Sequence, residues 1–415
     1  MMRVRNVLTC MVIMMALLIA CSSTASAQEP IKIGFVHVFS GGMATFGQVA
    51  KQGADLAVQE INSAGGVDGR MIALVYADTE VKPAVATEAI KNLVEKEKVV
   101  ALAGVVSSAV ADAATPLMAQ LQCPLIITHA MATDVTGAKC NPWTFRITWS
   151  VPQCYKGSAM LAHGLGAKKW TTLGPDYGFG QESWKYFKEY LGALGPYAFD
   201  EGIMLPMATT DWKPAIEQLK KSGADGVMLS LWGNNLQAFL KQAHEEKFFQ
   251  DRKVLCPVGG SVEIFVALGR LGMPEGVWFG TPYWYEAYEN AANARFVDAY
   301  RARAVSKIPP SYAAYNAYAA IKMLAAAIKK GASTERANIA MALSGLTLSD
   351  LPVGPTTLRK EDHQAIFDVA FGKTSSKGAK DFERIRGLDP IKLSPGADIT
   401  PSPADTKCSM SPLQR

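Results

Sequence analysis

The sequence predicts an α/β protein with two doubly wound units, each built on a mostly parallel sheet. Short apolar segments of strand character alternate with amphipathic helical segments, which is typical of right-handed βαβ crossovers. The alternation restarts after a Pro-rich and aromatic stretch at 141–152. The chain has 415 residues, and chains longer than about 250–300 residues usually divide into domains. We therefore expect two domains.

The first unit begins with a β-rich segment at 31–39, which ends in Ser40-Gly41-Gly42. Apolar residues then recur at helical spacing from Phe46 to Ile61, and Ala64-Gly65-Gly66 supplies the stop. The same periodicities predict the remaining elements: strands at 72–76, 99–103 and 125–128, and helices at 84–97 and 109–121.

The second unit repeats the alternation. Its predicted strands are at 170–173, 203–205, 226–231, 254–257 and 277–281, and its predicted helices at 181–194, 212–221, 236–246 and 263–271. Three successive helices follow at 293–305, 312–330 and 336–343, and then a strand at 365–371. From about residue 393 the chain is rich in Pro and polar residues, which predicts a loose tail or a surface wrap.

The N-terminal segment 1–27 has the layout of a secretory signal peptide. Arg3 and Arg5 precede an apolar run at 8–20, and small residues follow at 25–27. That run is shorter than the roughly 20 residues of a spanning helix. Cys21 offers an alternative, because lipoprotein processing would leave it as a lipid-attached terminus. Either processing places the mature chain outside the cytoplasm, away from the soluble pools of ATP and nicotinamide cofactors.

Charge and cysteine content exclude two further classes of site. The net charge of +5 includes Arg3 and Arg5, and no basic run interleaved with aromatics indicates nucleic-acid binding. No CxxC pair or His-Cys spacing suits a metal. Removal of segment 1–27 leaves an odd number of cysteines, which permits at most two disulfides and leaves the pairing open: Cys123, Cys140, Cys154, Cys256 and Cys408.

Four turns at predicted strand ends have the composition of a ligand site, since ligands bind at the carboxyl ends of strands in open parallel sheets. These turns are at 40–46, 106–108, 128–133 and 175–180. Ser107 and Ser108 have two interpretations. Serine at a helix start is most often an N-cap, and the same geometry can receive an anionic oxygen.

Several spaced motifs together resemble a known family. They are the 31–34 strand with its Ser-Gly turn, the helix end at 60–70, Ala77-Asp78, the segment at 141–146 and the turn at 176–180. From about residue 31 to about 371 the chain resembles the branched-chain amino-acid (Leu/Ile/Val-binding) type of periplasmic substrate-binding protein of ABC transporters. These motifs identify the family more specifically than they identify its ligand.

The resemblance implies a type I periplasmic fold: two lobes joined by three hinge crossings, near 146–150, 280–284 and 349–354. Lobe one would hold residues 30–147 plus 283–350, lobe two 148–282 plus 351–390, and a tail 393–415. It also implies a periplasmic monomer without a cofactor. Such a protein captures a small solute between its lobes and delivers it to an ABC permease in the inner membrane.

The resemblance also implies the ligand contacts. The predicted ligand-binding residues are Phe46, Ser107, Ser108, Ala130, Met131, Ala132, Tyr177, Phe179, Trp232, Gly260 and Tyr283. Two departures from the family pattern concern the ligand. Amino-acid binders have a carboxylate after the strand that ends at Cys256-Pro257, whereas this chain has no acid until Glu263. A hydroxyl-bearing residue of the family is replaced by Ala132.

A buried ammonium without a counter-charge costs several kcal/mol, so an α-amino acid fits only if Asp176 or Glu263 reaches the site. The aromatic candidates instead favour a small carboxylate with an aromatic or apolar body. Trp284 and Tyr285 are further aromatic candidates for the wall of the cleft, and their alternative interpretation is packing of the hinge. Branched-chain amino-acid or amide binding, and a ligand-sensing domain of a receptor system, remain the alternatives.

The sequence contains no catalytic motif, which favours a binding protein over an enzyme. It lacks G-x-S-x-G, HExxH and G-x-x-x-x-G-K-[ST] patterns. Among its five histidines only His129 lies on a predicted ligand-edge turn, and we expect it to hydrogen-bond that turn. We interpret Asp362-His363-Gln364 as structural.

Overall fold

The structure is a computed structural model that describes residues 28–304, 307–379, 382–411 and 413. The predicted signal peptide at 1–27 and its Cys21 lie outside the described residues. Among the described residues no helix is both long enough and apolar enough to cross a membrane.

The described chain contains sixteen strands. They are β1 (Ile31–His37), β2 (Ile72–Asp78), β3 (Ala101–Gly104), β4 (Leu125–Ile127), β5 (Thr144–Arg146), β6 (Lys169–Pro175), β7 (Ala198–Phe199), β8 (Ile203–Leu205), β9 (Gly226–Leu229), β10 (Lys253–Cys256), β11 (Trp278–Thr281), β12 (Thr347–Leu348), β13 (Thr356–Leu358), β14 (Ala365–Ile366), β15 (Val369–Ser375) and β16 (Gly387–Ser394).

Twelve α-helices are described, and 3-10 turns cover Gly41–Met43 and Thr133–Thr136. The helices are α1 (Ala44–Ser63), α2 (Pro83–Glu95), α3 (Ser108–Leu121), α4 (Val151–His163), α5 (Gly178–Ala193), α6 (Lys213–Lys221), α7 (Gly233–Glu245), α8 (Val262–Gly272), α9 (Ala291–Arg303), α10 (Tyr312–Gly331), α11 (Arg336–Leu343) and α12 (Gly396–Ile399).

Lobe one is built on a parallel sheet of order β2-β1-β3-β4-β5. Its central strands are buried on both faces, which is why they read as continuous apolar runs rather than as alternating ones. Helices α1 and α10 pack closely against each other. At Gly53 in α1, an added Cβ would lie 2.0 Å from the carbonyl oxygen of Ala314 in α10.

Lobe two is built on a sheet of order β16-β15-β11-β10-β9-β6-β7, with β8 also paired to β6. Strands β6 to β11 are parallel, whereas β15 and β16 are antiparallel additions at one edge. The predicted alternation and the two doubly wound lobes are therefore confirmed, with an antiparallel edge on the second sheet.

The chain passes between the lobes three times. It leaves β5 of lobe one for α4 of lobe two at 147–150, and it leaves β11 of lobe two after Thr281. The third passage lies at 366–369, between β14 and β15, and not near 349–354 where the resemblance placed it. Segment 347–366 forms a small sheet, β12-β13-β14, beside lobe one.

Contacts with β5 hold that segment on lobe one. The ring of His363 stacks on Phe145, with centroids 3.9 Å apart, and Gln364 bridges to Arg146. The buried Arg146 donates through Nε to Gln364 Oε1 (2.7 Å) and through one terminal nitrogen to the carbonyl oxygen of Ala132 (2.6 Å). Asp362-His363-Gln364 is thus a structural motif at the hinge, as the sequence indicated.

The chain beyond β16 makes contacts with both lobes. Helix α12 packs on α4, and Gln153 Nε2 donates to Thr400 Oγ1 (2.8 Å). A disulfide then joins Cys408 to Cys140, just before β5 of lobe one. The remaining described cysteines are buried thiols: Cys123, Cys154 and Cys256. The C-terminal segment is therefore a strap that runs from the lobe-two sheet to lobe one.

Candidate functional site

A cleft between the two lobes lies at the carboxyl ends of both parallel sheets. Lobe one contributes residues that follow β1, β3 and β4 and the start of α10, and lobe two contributes residues that follow β6, β9 and β10. The lining residues are Phe46, Val106, Ser107, Ser108, His129, Met131, Tyr177, Phe179, Trp232, Val258 and Tyr312. The volume of the cavity, about 60 Å³, is several times what one water molecule requires.

The floor of the cleft on lobe one is the start of helix α3. Ser107 is its N-cap, and the Ser107 hydroxyl accepts a hydrogen bond from the Val110 N–H (3.2 Å). Val105 adopts φ +69°, a left-handed conformation that is unusual for a β-branched residue. This turn brings the two serines and the first N–H groups of α3 to the cavity. Such groups bind anions, because a helix leaves its first N–H groups without intrahelical partners.

Aromatic rings form the walls. Phe46 and Tyr312 come from lobe one, and Tyr177, Phe179 and Trp232 come from lobe two. The rings of Tyr177 and Phe179 lie 6.0 Å apart. Burial raises the pKa of Tyr177 to about 12, so its phenol is neutral. Trp232 Nε1 is a buried donor that lies near the Tyr177 hydroxyl.

No Lys, Arg, Asp or Glu is among the lining residues of the cleft. Asp176 is exposed, where it accepts from Gln181 Nε2 (3.4 Å). Glu263 lies between the hydroxyls of Ser261 and Ser311, with Ser311 Oγ 2.5 Å from Glu263 Oε1. Neither acid that could have paired an ammonium group therefore reaches the cavity.

His129 extends into the cleft from the end of β4 and packs beside a second buried histidine. Its Nδ1 lies 2.8 Å from Thr128 Oγ1 and 3.3 Å from His37 Nε2. Burial lowers the pKa of His37 to about 3 and that of His129 well below its ordinary value. The expected bond to the turn exists, but His129 also lines the cavity, which the sequence interpretation did not anticipate.

Seven of the predicted residues line the cavity: Phe46, Ser107, Ser108, Met131, Tyr177, Phe179 and Trp232. Ala130 and Ala132 do not. The side chains of His129 and Met131 face the cleft, and the two alanines are buried beside it. The Ala130 N–H donates within the fold, to the Val105 carbonyl oxygen (3.3 Å).

Gly260 and Tyr283 also lie outside the lining. The Gly260 N–H donates to the Gly280 carbonyl oxygen (3.0 Å), in a close approach of two backbones. Tyr283 is fully buried and stacks on Tyr315, with centroids 4.9 Å apart, while its hydroxyl donates to Asn293 Oδ1 (2.7 Å). Trp284, likewise buried against Phe265, packs the hinge.

Four lining residues were missed: Val106, His129, Val258 and Tyr312. Val106 and His129 lie in turns that the sequence singled out, and Val258 directly follows the predicted strand at 254–257, so the strand-end rule pointed to all three positions. Tyr312 begins helix α10, which is distant along the chain from the β4 turn that it faces. No local pattern indicates that this helix start closes the cleft.

The lobes contact each other across the mouth of the cleft, so the structure represents a closed arrangement. Side chains on one lobe bond to groups on the other at three places. The bonds run from Asn234 Nδ2 to the Gly42 carbonyl oxygen (3.0 Å), from Thr133 Oγ1 to Glu182 Oε2 (2.8 Å) and from Ser311 Oγ to Glu263 Oε1 (2.5 Å).

Comparisons with known proteins agree with this architecture. The sequence matches the family described as Periplasmic binding protein over residues 30–379. A relative named Leu/Ile/Val-binding protein homolog 8, from Brucella suis biovar 1 (strain 1330), is 29% identical over 379 residues, covering 86% of this chain and 88% of its own.

Two solved structures are similar over most of their length. The amino acid ABC transporter substrate-binding protein from Pseudomonas fluorescens Pf-5 has a TM-score of 0.81 at 22% identity, covering 92% of this chain and 100% of its own. A solute-binding protein of an ABC transporter from R. palustris, in complex with benzoate, has a TM-score of 0.74 at 25% identity, covering 86% of this chain and 96% of its own. The chain belongs to the periplasmic binding protein family, the solute-binding components of ABC transporters, and has their type I periplasmic fold.

Proposed function

We propose that this protein captures a small carboxylate with an aromatic or apolar body in the cleft between its lobes. It releases that solute unchanged to an ABC permease. The observation that carries the proposal is the composition of the cleft: aromatic walls, two serines at the start of helix α3, and no charged side chain among the lining residues.

The electrostatics of this cleft favour an anion. Helices α3, α5 and α7 begin at lining residues, and each helix start carries a partial positive charge. A carboxylate would receive hydrogen bonds from the serines and from the first N–H groups of α3. The apolar body would then lie among the rings contributed by both lobes, so that binding holds the lobes together.

An α-amino acid is the main alternative, because two of the similar proteins are named for amino acids. It would bring an ammonium group into a cavity whose lining has no carboxylate. Leaving a charge buried and unpaired costs several kcal/mol. The benzoate complex of the R. palustris relative supports the aromatic acid instead.

A thermal-shift and calorimetry panel of matched solutes tests the proposal. Benzoate, 4-hydroxybenzoate, cyclohexanecarboxylate, benzamide and leucine separate the carboxylate, the aromatic body and the ammonium group. A bound solute stabilises the folded protein by RT ln(1 + [L]/Kd), which is about 2.7 kcal/mol at a hundredfold excess over Kd. We expect benzoate-type acids to raise the melting temperature and benzamide and leucine to have no effect. A shift with leucine alone would reject the proposal.

A variant pair locates the carboxylate. Ser107→Ala removes a hydroxyl from the cleft, and Ser349→Ala removes one from the exposed surface of lobe one. A hydrogen bond to a charged group contributes about 1.5–3 kcal/mol, so Ser107→Ala should weaken benzoate binding roughly tenfold or more. Ser349→Ala should leave the affinity unchanged. Equal affinities in the two variants would place the carboxylate elsewhere.

Export is part of the same proposal. The Cys140–Cys408 disulfide is of a kind that persists in oxidising compartments outside the cytoplasm. Mass spectrometry of the protein purified from its native host tests the processing. A mature N-terminus at Gln28 supports cleavage after Ala27, whereas an acylated Cys21 supports a lipid anchor.

A further inference from the structure

We propose that His129 is a specificity-determining residue of the cleft, which donates a hydrogen bond from a neutral Nε2–H to an oxygen of the bound solute. This inference rests on the proposed function and deepens it. His129 adds an uncharged hydrogen-bond donor to those that Ser107 and Ser108 supply at the start of helix α3.

The position of His129 supports this role. The side chain lines the cavity, and only 8% of the residue is exposed in the closed arrangement. Its Nδ1 edge is occupied by Thr128 and His37. Its Nε2, on the other edge of the ring, is buried and makes no hydrogen bond within the described chain. A buried polar atom without a partner is costly, and a solute in the cleft would remove that cost.

Hydrogen-bond accounting selects the tautomer. A neutral imidazole has one donor nitrogen and one acceptor nitrogen. The one side-chain partner of the His37 ring in the described chain is His129 Nδ1; the Val38 backbone also lies near the ring, but His37 Nδ1 makes no hydrogen bond of normal geometry. If His37 carries its proton on Nε2, it donates to His129 Nδ1, and no N–H on His37 is left unpaired. His129 then has its proton on Nε2 and is a donor toward the cleft.

The opposite tautomer is disfavoured. With its proton on Nδ1, His129 would donate to His37 Nε2 and force the His37 proton onto Nδ1, where no hydrogen bond of normal geometry forms within the described chain. A buried N–H without an acceptor costs more than an unused lone pair. The Thr128 hydroxyl fits either arrangement, because it can donate to an unprotonated Nδ1 or accept from an Nδ1–H. His37 is therefore a positioning residue for His129.

A neutral N–H donor selects for an oxygen acceptor. The carboxylate or a ring hydroxyl oxygen of an aromatic acid would satisfy it, whereas an ammonium group offers only further donors. Tyr312, whose ring centroid lies 5.5 Å from that of His129, borders the same part of the cavity.

Nuclear magnetic resonance of the solute-free protein tests the tautomer directly. Long-range 1H–15N spectra of histidine-labelled protein distinguish Nε2–H from Nδ1–H. We expect neutral Nε2–H tautomers for both His37 and His129 at pH 7. An Nδ1–H tautomer at His129 would overturn the inference, whichever solute the protein binds.

Calorimetry on two variants tests the donor. His129→Gln keeps an N–H donor near the Nε2 position and should bind benzoate within about threefold of the unaltered protein. His129→Phe keeps a ring but no donor and should bind roughly ten- to hundredfold more weakly. Equal binding by all three proteins would overturn the inference and leave the proposed function standing.

The two proposals fail in different ways. If no acid in the panel binds, the proposed function fails, while the tautomer spectrum still decides whether His129 is a donor. If benzoate binds, the His129 Nε2 resonance should shift at saturation. An unmoved resonance would reject the contact.

Discussion

Removing the Cys140–Cys408 disulfide should destabilise the protein more than any other single change outside the core. The bridge joins residues 268 positions apart, and the loop it closes contains all of lobe two. The chain-entropy relation for a loop of that length gives about 5.6 kcal/mol at 25 °C. The hydrogen bonds of Thr400 and Pro401 still hold the strap after reduction, so this value is an upper limit.

The assay is thermal unfolding of the Cys140→Ser, Cys408→Ser double variant beside the unaltered protein, each with and without dithiothreitol. An unfolding entropy of about 2.1 cal/mol/K per residue converts the full effect to a fall of roughly 7 °C in Tm when both lobes unfold together. Reductant should lower the Tm of the unaltered protein and leave that of the double variant unchanged.

The buried thiols should not interfere with this experiment. Burial raises the pKa of Cys123 to about 12 and those of Cys154 and Cys256 well above their ordinary value, so none of them is a reactive thiolate. A double variant with the Tm of the oxidised parent would refute the reasoning, because the strap would then be held by its non-covalent contacts alone.

Three further predictions concern packing, pH and closure. Gly53→Ala should lower the free energy of unfolding in urea by about 3 kcal/mol, because the added Cβ would lie 2.0 Å from a backbone carbonyl oxygen of α10. Gly192→Ala is the control: no atom lies nearer than 3.8 Å to its added Cβ, and it should not destabilise the protein. Burial lowers the pKa of His37 to about 3 in the folded protein. Between pH 6.5 and pH 3 the unfolded chain therefore binds a proton at His37 that the folded protein does not, and the free energy of unfolding falls as the pH drops below 6.5. At pH 5 this contribution lowers the free energy of unfolding by about 2 kcal/mol. Urea denaturation at pH 7 and pH 5 should show a decrease in the unaltered protein that is smaller by this amount in His37→Phe; the same decrease in both proteins would contradict the burial argument. Glu263→Ala removes an interlobe bond and should weaken solute binding about tenfold by calorimetry, whereas the exposed Glu245→Ala should not.

Most of the strands and helices could be predicted from the sequence, because strands that are buried on both faces of a parallel sheet are short apolar segments between helices. Helix α4 was missed although Ser150 and Gln153 form a capping box, a pattern visible in the sequence. The place of segment 347–366 was not predictable in the same way. It depends on contacts of His363 and Gln364 with β5, a strand that lies far earlier in the chain.

The candidate site was predictable where it follows strand ends. The turns after β3, β6 and β9 contribute Ser107, Phe179 and Trp232, as the strand-end rule requires. The rule does not give the direction of a side chain within a turn. The resemblance implied Ala130 as a contact, whereas in the structure the side chain of His129 lines the cleft. The disulfide pairing was equally inaccessible, because any pairing of five cysteines fits the sequence.

The central claim is that a small acid holds the two lobes together, and small-angle X-ray scattering during a benzoate titration tests it most directly. We expect the solute-free protein to be more open than the closed structure. Its radius of gyration should then decrease saturably as benzoate binds and should stay unchanged with benzamide. A radius that does not change at benzoate concentrations that saturate calorimetric binding would contradict the account.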